Sequence, residues 1–119
     1  MKNTVLEKSL TFAIRVVRLY QHLSKEKKEY VMSKQLLRSG TAVGALIREA
    51  EHAQSKADFL NKMNIALKEA NESTYWLLLL HKTDYLTEVE YTSIHKDAEE
   101  LVKILASIVK TTKQNLKRN

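Results

Sequence analysis

The chain has no cysteine, no proline and only two glycines in 119 residues. Without cysteine there is no disulfide, no thiolate catalysis and no sulfur-ligated metal site, and a cytoplasmic setting is the simplest expectation. Without proline nothing forces a stop or kink in a helix. Long apolar runs are missing as well. The longest, residues 75–80 (YWLLLL), is far shorter than the ~20 residues a membrane-spanning helix needs. Lys2, Glu7, Lys8 and Arg15 interrupt the first fifteen residues, so no export signal is expected there. Together these absences predict a soluble protein with no membrane partner.

What remains is helix-forming material. Hydrophobic residues make up 44% and charged residues 29%, an ordinary balance for one globular domain able to bury about two-thirds of its unfolded surface. Leu6, Leu10, Ala13, Ile14, Val17 and Tyr20 recur at three- and four-residue spacing and predict a first helix over residues 4–23, with Asn3 as its N-cap. The stretch 24–29 (SKEKKE) holds no apolar residue and reads as a solvated turn. A second helix is expected over 30–54, with Leu36, Leu37, Val43, Ile47 and Ala50 inward. Ser55 and Asp58 form a capping-box-like start to a third helix over 56–82, where Leu60, Met63, Leu67, Ala70, Thr74, Leu77 and His81 follow a seven-residue repeat. Thr87 and Glu90 form a second capping box, with Leu86 and Tyr91 placed as a hydrophobic staple. They open a fourth helix over 88–116, carrying Ile94, Ala98, Leu101, Leu105 and Ile108 inward. No segment alternates like a strand. The fold expected is all-α, an antiparallel up-down-up-down four-helix bundle.

Both glycines, Gly40 and Gly44, fall inside the second helix, one turn apart. Each costs roughly 0.5–1 kcal/mol there relative to alanine. Close approach of another helix backbone is the expected compensation, and a kink or loop at Ser39 and Gly40 is the alternative. Residues 75–80 are apolar around the whole helix circumference, where a bundle helix normally shows water a charged face. Covering Tyr75, Trp76 and Leu79 on every side predicts self-association. The competing account leaves Tyr75 and Leu79 half exposed.

Chemistry-bearing motifs are sparse. Glu49 and His52 have the Glu-x-x-His spacing of half a di-iron site, but no second such pair exists. Glu69 and Glu72 lie one turn apart and would need burial in a cleft to act as acid and base. Ion pairs are the simpler expectation: Lys68 with Glu72, and Arg48 and His52 beside Glu49 and Glu51. Asn64 and Asn71 share one helical row, as buried register pins or as surface residues. Phosphate loops and nucleophile motifs are absent, so the chain is expected to be no enzyme and to carry no cofactor. A metal-binding or enzymatic bundle using Glu49, His52, Glu69 and Glu72 is the opposing reading. The net charge of +6 favours polyanions. The basic residues available for RNA or DNA are Arg15, Arg18, Lys25, Lys27, Lys28, Lys34 and Arg38, together with the C-terminal lysines, with no exposed aromatic evident for base recognition.

Residues 35–50 (QLLRSGTAVGALIREA) and 55–70 (SKADFLNKMNIALKEA), followed by Glu72, Tyr75, Trp76 and Leu77, resemble the signature blocks of the bacterial four-helix-bundle proteins of the 23S ribosomal RNA intervening sequence (S23) family. The two blocks occur in the right order and at the right separation. The resemblance implies a cytoplasmic, bacterial homopentameric ring of four-helix bundles with no known enzymatic activity. The small patch at Gly40 and Gly44 and the apolar end of the third helix, Tyr75, Trp76 and Leu79, are expected to build packing or subunit contacts, with Arg48, Glu49, Glu69 and Glu72 supplying polar pairing near them. Related proteins that accompany diversity-generating reverse transcriptases bind nucleic acid and the polymerase. By analogy the expected partners are further copies of the chain, RNA or DNA, or such an enzyme.

Overall fold

The computed structural model describes residues 4–118. They form four helices: α1 Thr4–Lys25, α2 Met32–Glu51, α3 Lys56–Lys82 and α4 Glu88–Arg118. There is no strand among the described residues. At ~1.5 Å per residue, the 31-residue α4 accounts for most of the 52 Å long dimension. The boundaries follow those expected within two or three residues, and the Asn3 cap lies outside the described residues. Each helix packs on the next, and α4 packs back on α1.

Local chemistry explains the helix ends. Ser55 Oγ accepts the Asp58 N–H at 3.0 Å, and Asp58 reaches back to the Gln54 N–H at 3.2 Å. The Thr87–Glu90 box is fully reciprocal, at 2.9 and 3.1 Å. Because both glycines are used inside α2, left-handed backbone falls to other residues. Asp84 (φ 70°) ends α3, where the Tyr85 N–H bonds Leu80 O and the Asp84 N–H bonds His81 O. Lys28 (φ 58°) turns the chain between α1 and α2.

That turn corrects the expectation of a wholly solvated 24–29 segment. Ser24 and Lys25 belong to α1, and Glu29 is buried. Its carboxylate accepts the N–H groups of Val31 and Met32 at 3.0 Å and of Ser33 at 2.8 Å, while the Ser33 hydroxyl donates to Glu29 O. The N-cap residue Val31 offers no side-chain acceptor, so Glu29 supplies it from outside the helix. Burial alone would raise the Glu29 pKa, but the N–H donors of Ser33, Met32 and Val31, with the Ser33 hydroxyl, outweigh it and bring the carboxyl below its ordinary 4.5.

The expected inner residues of α2, α3 and α4 face the core, with Leu36, Val43, Met63, Ala70, Leu77, Ile94, Ala98, Leu101 and Leu105 buried. Leu37, Leu60, Leu67 and Ile108 are partly buried and pack at its edge. Helix α1 departs from expectation. Its buried residues are Val5, Ser9, Phe12, Val16 and Leu23, whereas Leu10 and Ile14 are each 50% exposed. Two apolar stripes run along this helix, both with helical spacing, so periodicity alone cannot choose between them. The core takes the stripe carrying Phe12, which is completely buried.

Gly40 explains the register of that stripe. A Cβ built on Gly40 would lie 2.8 Å from Val16 Cγ2 and 3.0 Å from Cγ1, so the missing side chain lets α1 and α2 approach closely. Gly44 is looser, with 3.4 Å left to Ser9 Oγ, an ordinary contact. The small-residue patch continues on the α3 side, where Ser39 and Ser73 share a buried 2.9 Å hydrogen bond.

Candidate functional site

Gly40 is buried within the chain, while Gly44, Ala45 and the exposed Arg48 border a shallow 210 Å³ hollow beside Leu6 and Leu10. The ion pairs of Glu49, Glu69 and Glu72 run between helices rather than along them. Arg38 of α2 reaches Glu69 at 3.4 Å and also Glu72, and Trp76 Nε1 donates to Glu72 at 2.9 Å. These two donors hold Glu72, and the expected Lys68–Glu72 pair does not form. Glu49 likewise pairs with Lys62 of α3 at 3.1 Å rather than with Arg48 or His52. Asn64 and Asn71 are exposed, so they are surface residues rather than register pins.

In the apolar end of α3, Leu77 and Leu80 are fully buried, Trp76 and Leu79 partly so. Tyr75 is 55% exposed and meets Trp76 edge-on at 5.1 Å. Leu78 is the second outward residue of this run, rather than Leu79.

A further uncovered apolar surface lies on α1, where Leu10 and Ile14 are expected inward but are each half exposed. Leu10, Ala13, Ile14 and Val17 line a shallow 370 Å³ hollow beside Arg18. Ile14 and Arg18 also border a 460 Å³ groove between α1 and α4, floored by Leu19, Leu86 and Ile94. The two hollows therefore join into one strip along α1. Among the described residues of the single chain nothing covers Leu10 and Ile14, each of which is 50% exposed.

Seven of the basic residues expected to attract phosphate divide into two groups. Arg15 is committed to α4: it pairs with Asp97 at 2.8 Å and donates to Ser93 Oγ at 2.8 Å. Arg38 is committed to Glu69 and Glu72. Arg18, Lys25, Lys27, Lys28 and Lys34 are exposed and make no ion pair among the described residues. Four of these five surround the α1–α2 turn. That turn also shows an exposed aromatic the sequence reading missed, Tyr30 at 53% exposure, beside Val31 at 74%. The available signal was Tyr30 standing directly after a charged run.

The histidines were informative in another way. His81 stacks on Tyr91 with ring centroids 4.4 Å apart, and Tyr91 meets His95 at 4.9 Å. Burial, followed by the charges of Glu99 and Glu88, raises the Tyr91 pKa above its ordinary 10. His81 Nε2 lies 3.0 Å from Glu88. Together these contacts fasten the end of α3 to the start of α4. Among the described residues, no three His, Asp or Glu side chains converge with metal-ligand spacing, and His52 is exposed. No helix is long and apolar enough to cross a membrane among the described residues.

The family model of the 23S rRNA-intervening sequence protein matches residues 1–107. A crystal structure of a protein with unknown function from the S23 ribosomal protein family of Bacteroides thetaiotaomicron VPI-5482 is 62% identical. The match covers 91% of this chain and 96% of that one, with a TM-score of 0.89. No curated protein matches.

Proposed function

We propose, for a chain that belongs to the 23S rRNA-intervening sequence protein family, a non-enzymatic role as a self-assembling helical scaffold with affinity for nucleic acid. Each subunit is an antiparallel up-down-up-down bundle. The reversed order of contacts between successive helices supports this: Val16 meets Gly40 where Ser9 meets Gly44, and Arg38 reaches Glu72 where Glu49 reaches Lys62. Lys8 with Glu100 and Arg15 with Asp97 repeat the reversal between α1 and α4.

The observation that carries the assembly is the second apolar stripe of α1, with Leu10 and Ile14 half exposed in a strip of joined hollows. A second copy of the chain covers it, and the resemblance to the S23 proteins implies a closed ring of five in the bacterial cytoplasm. Glu49, Glu69 and Glu72, the carboxylates an enzymatic reading would use, are each engaged by a cation on a neighbouring helix, which favours a structural role. Nucleic-acid affinity resides in Lys25, Lys27, Lys28 and Lys34, with Arg15 and Arg38 withdrawn into ion pairs and Arg18 bordering the strip that a second copy covers.

Sedimentation velocity tests the assembly. At micromolar concentration the wild-type chain is expected to sediment as a closed species of about five times the 13.7 kDa chain mass. A species of one chain mass, unchanged with concentration, would contradict it.

A further inference from the structure

We infer that the α1–α2 turn is a binding site for single-stranded polynucleotide, in which Tyr30 stacks on a base and Lys25, Lys28 and Lys34 hold the flanking phosphates. This rests on the nucleic-acid part of the reading above and makes it specific to one site and one form of nucleic acid.

The turn is built rather than slack. Lys28 holds a left-handed conformation that few non-glycine residues adopt. The Glu29 N–H bonds Leu23 O at 2.9 Å, and its buried carboxylate gathers three successive N–H groups. With Glu29 fixed inward, Tyr30 and Val31 are carried outward on a rigid support. Tyr30 is 53% exposed and pairs with no other aromatic ring among the described residues.

The charge around the ring selects the ligand. Between residues 25 and 34 the exposed charges are four lysines and one acid, Glu26, since Glu29 is turned in. On α4 the Glu90 carboxylate is occupied by the Thr87 cap, whose N–H holds its pKa below the ordinary 4.5, with the charges of His22 and Lys27 adding to the lowering. Lys25, Lys28 and Lys34 are exposed on the same stretch as Tyr30 and make no ion pair among the described residues. An apolar protein segment would gain from Tyr30 and Val31 but not from those lysines. A single strand gains from both, because every base offers a ring face and every linkage a charge. A duplex keeps its bases stacked inside, out of reach of the tyrosine.

The test is fluorescence anisotropy of a labelled mixed-sequence single-stranded RNA with the full chain, with inorganic polyphosphate as a base-free polyanion. Tyr30→Ala is expected to weaken RNA binding about tenfold, within the range for one stacked base, and to leave polyphosphate binding unchanged. Tyr30→Phe is expected to retain RNA binding, and Lys28→Gln with Lys34→Gln to reduce the dependence of binding on salt. Circular dichroism of each variant checks that the helices persist.

RNA binding by the wild type that ignores Tyr30→Ala would overturn the stacking site and leave the nucleic-acid reading standing. An equal loss for RNA and polyphosphate would overturn it too, since the turn would then have been distorted. A wild-type chain that binds no RNA at low salt would overturn both, and leave Tyr30 and Val31 to a protein partner.

Discussion

Gly40→Ala destabilises the chain while Gly44→Ala, one turn away on the same helix, stabilises it. At Gly40 the new Cβ would sit 2.8 Å from Val16 Cγ2, closer than real contacts permit. Val16 is fully buried and β-branched, with little freedom to rotate aside, so α1 itself must back away. Overpacking of this kind costs about 1–3 kcal/mol. The helix-propensity gain of roughly 0.5–1 kcal/mol offsets part of it. The net loss expected is about 1–2 kcal/mol, and Gly40→Leu should leave no stable packing of α1 on α2. At Gly44 the new Cβ meets Ser9 Oγ at 3.4 Å, so the propensity gain of about 0.5–1 kcal/mol survives. Urea unfolding measures both, and Val16→Ala in the Gly40→Ala background should recover part of the loss. Changes of the same sign at the two glycines would mean that Gly40 does not set the helix separation.

Glu29→Ala is the second large effect, about 2–3 kcal/mol, because it leaves three backbone donors at the start of α2 without their charged acceptor. Glu29→Gln keeps one oxygen acceptor and should lose about half as much. The pH dependence has a definite sign. The carboxyl titrates below 4.5 in the folded chain, so its contribution is complete above that value and disappears as pH falls through the lower folded value. The stability gap between wild type and Glu29→Gln should therefore be constant from neutral pH down to about 5 and then close on acidification. A gap that widens below 4.5 would reverse the assignment of Glu29 as an ionised cap.

What the sequence made legible was local or periodic. Ser55 with Asp58 and Thr87 with Glu90 bind within three residues of each other, so their spacing is the interaction. Met63, Ala70 and Leu77 are buried at the interval the repeat announces. The choice of face on α1 was not legible, because the stripe of Val5, Phe12 and Val16 and that of Leu10, Ile14 and Val17 both have helical spacing. Contact with α2 decides between them. Glu72 shows the same limit: its neighbour at i−4, Lys68, was visible in the sequence, whereas Arg38 is 34 residues away. Glu29 was hidden in a charged run, although asking which residue caps a helix entered through Val31 would have pointed to it.

The most direct test of the account is whether another copy of the chain covers the outer face of α1. The absence of cysteine allows a single thiol to be placed there as Ile14→Cys, with Glu26→Cys in the exposed turn as reference. At micromolar concentration the thiol at position 14 should react with a maleimide at least roughly tenfold more slowly than the one at 26, and the difference should vanish as dilution separates the subunits. Equal rates at every concentration would show that the strip faces water, and the assembly would have to be abandoned.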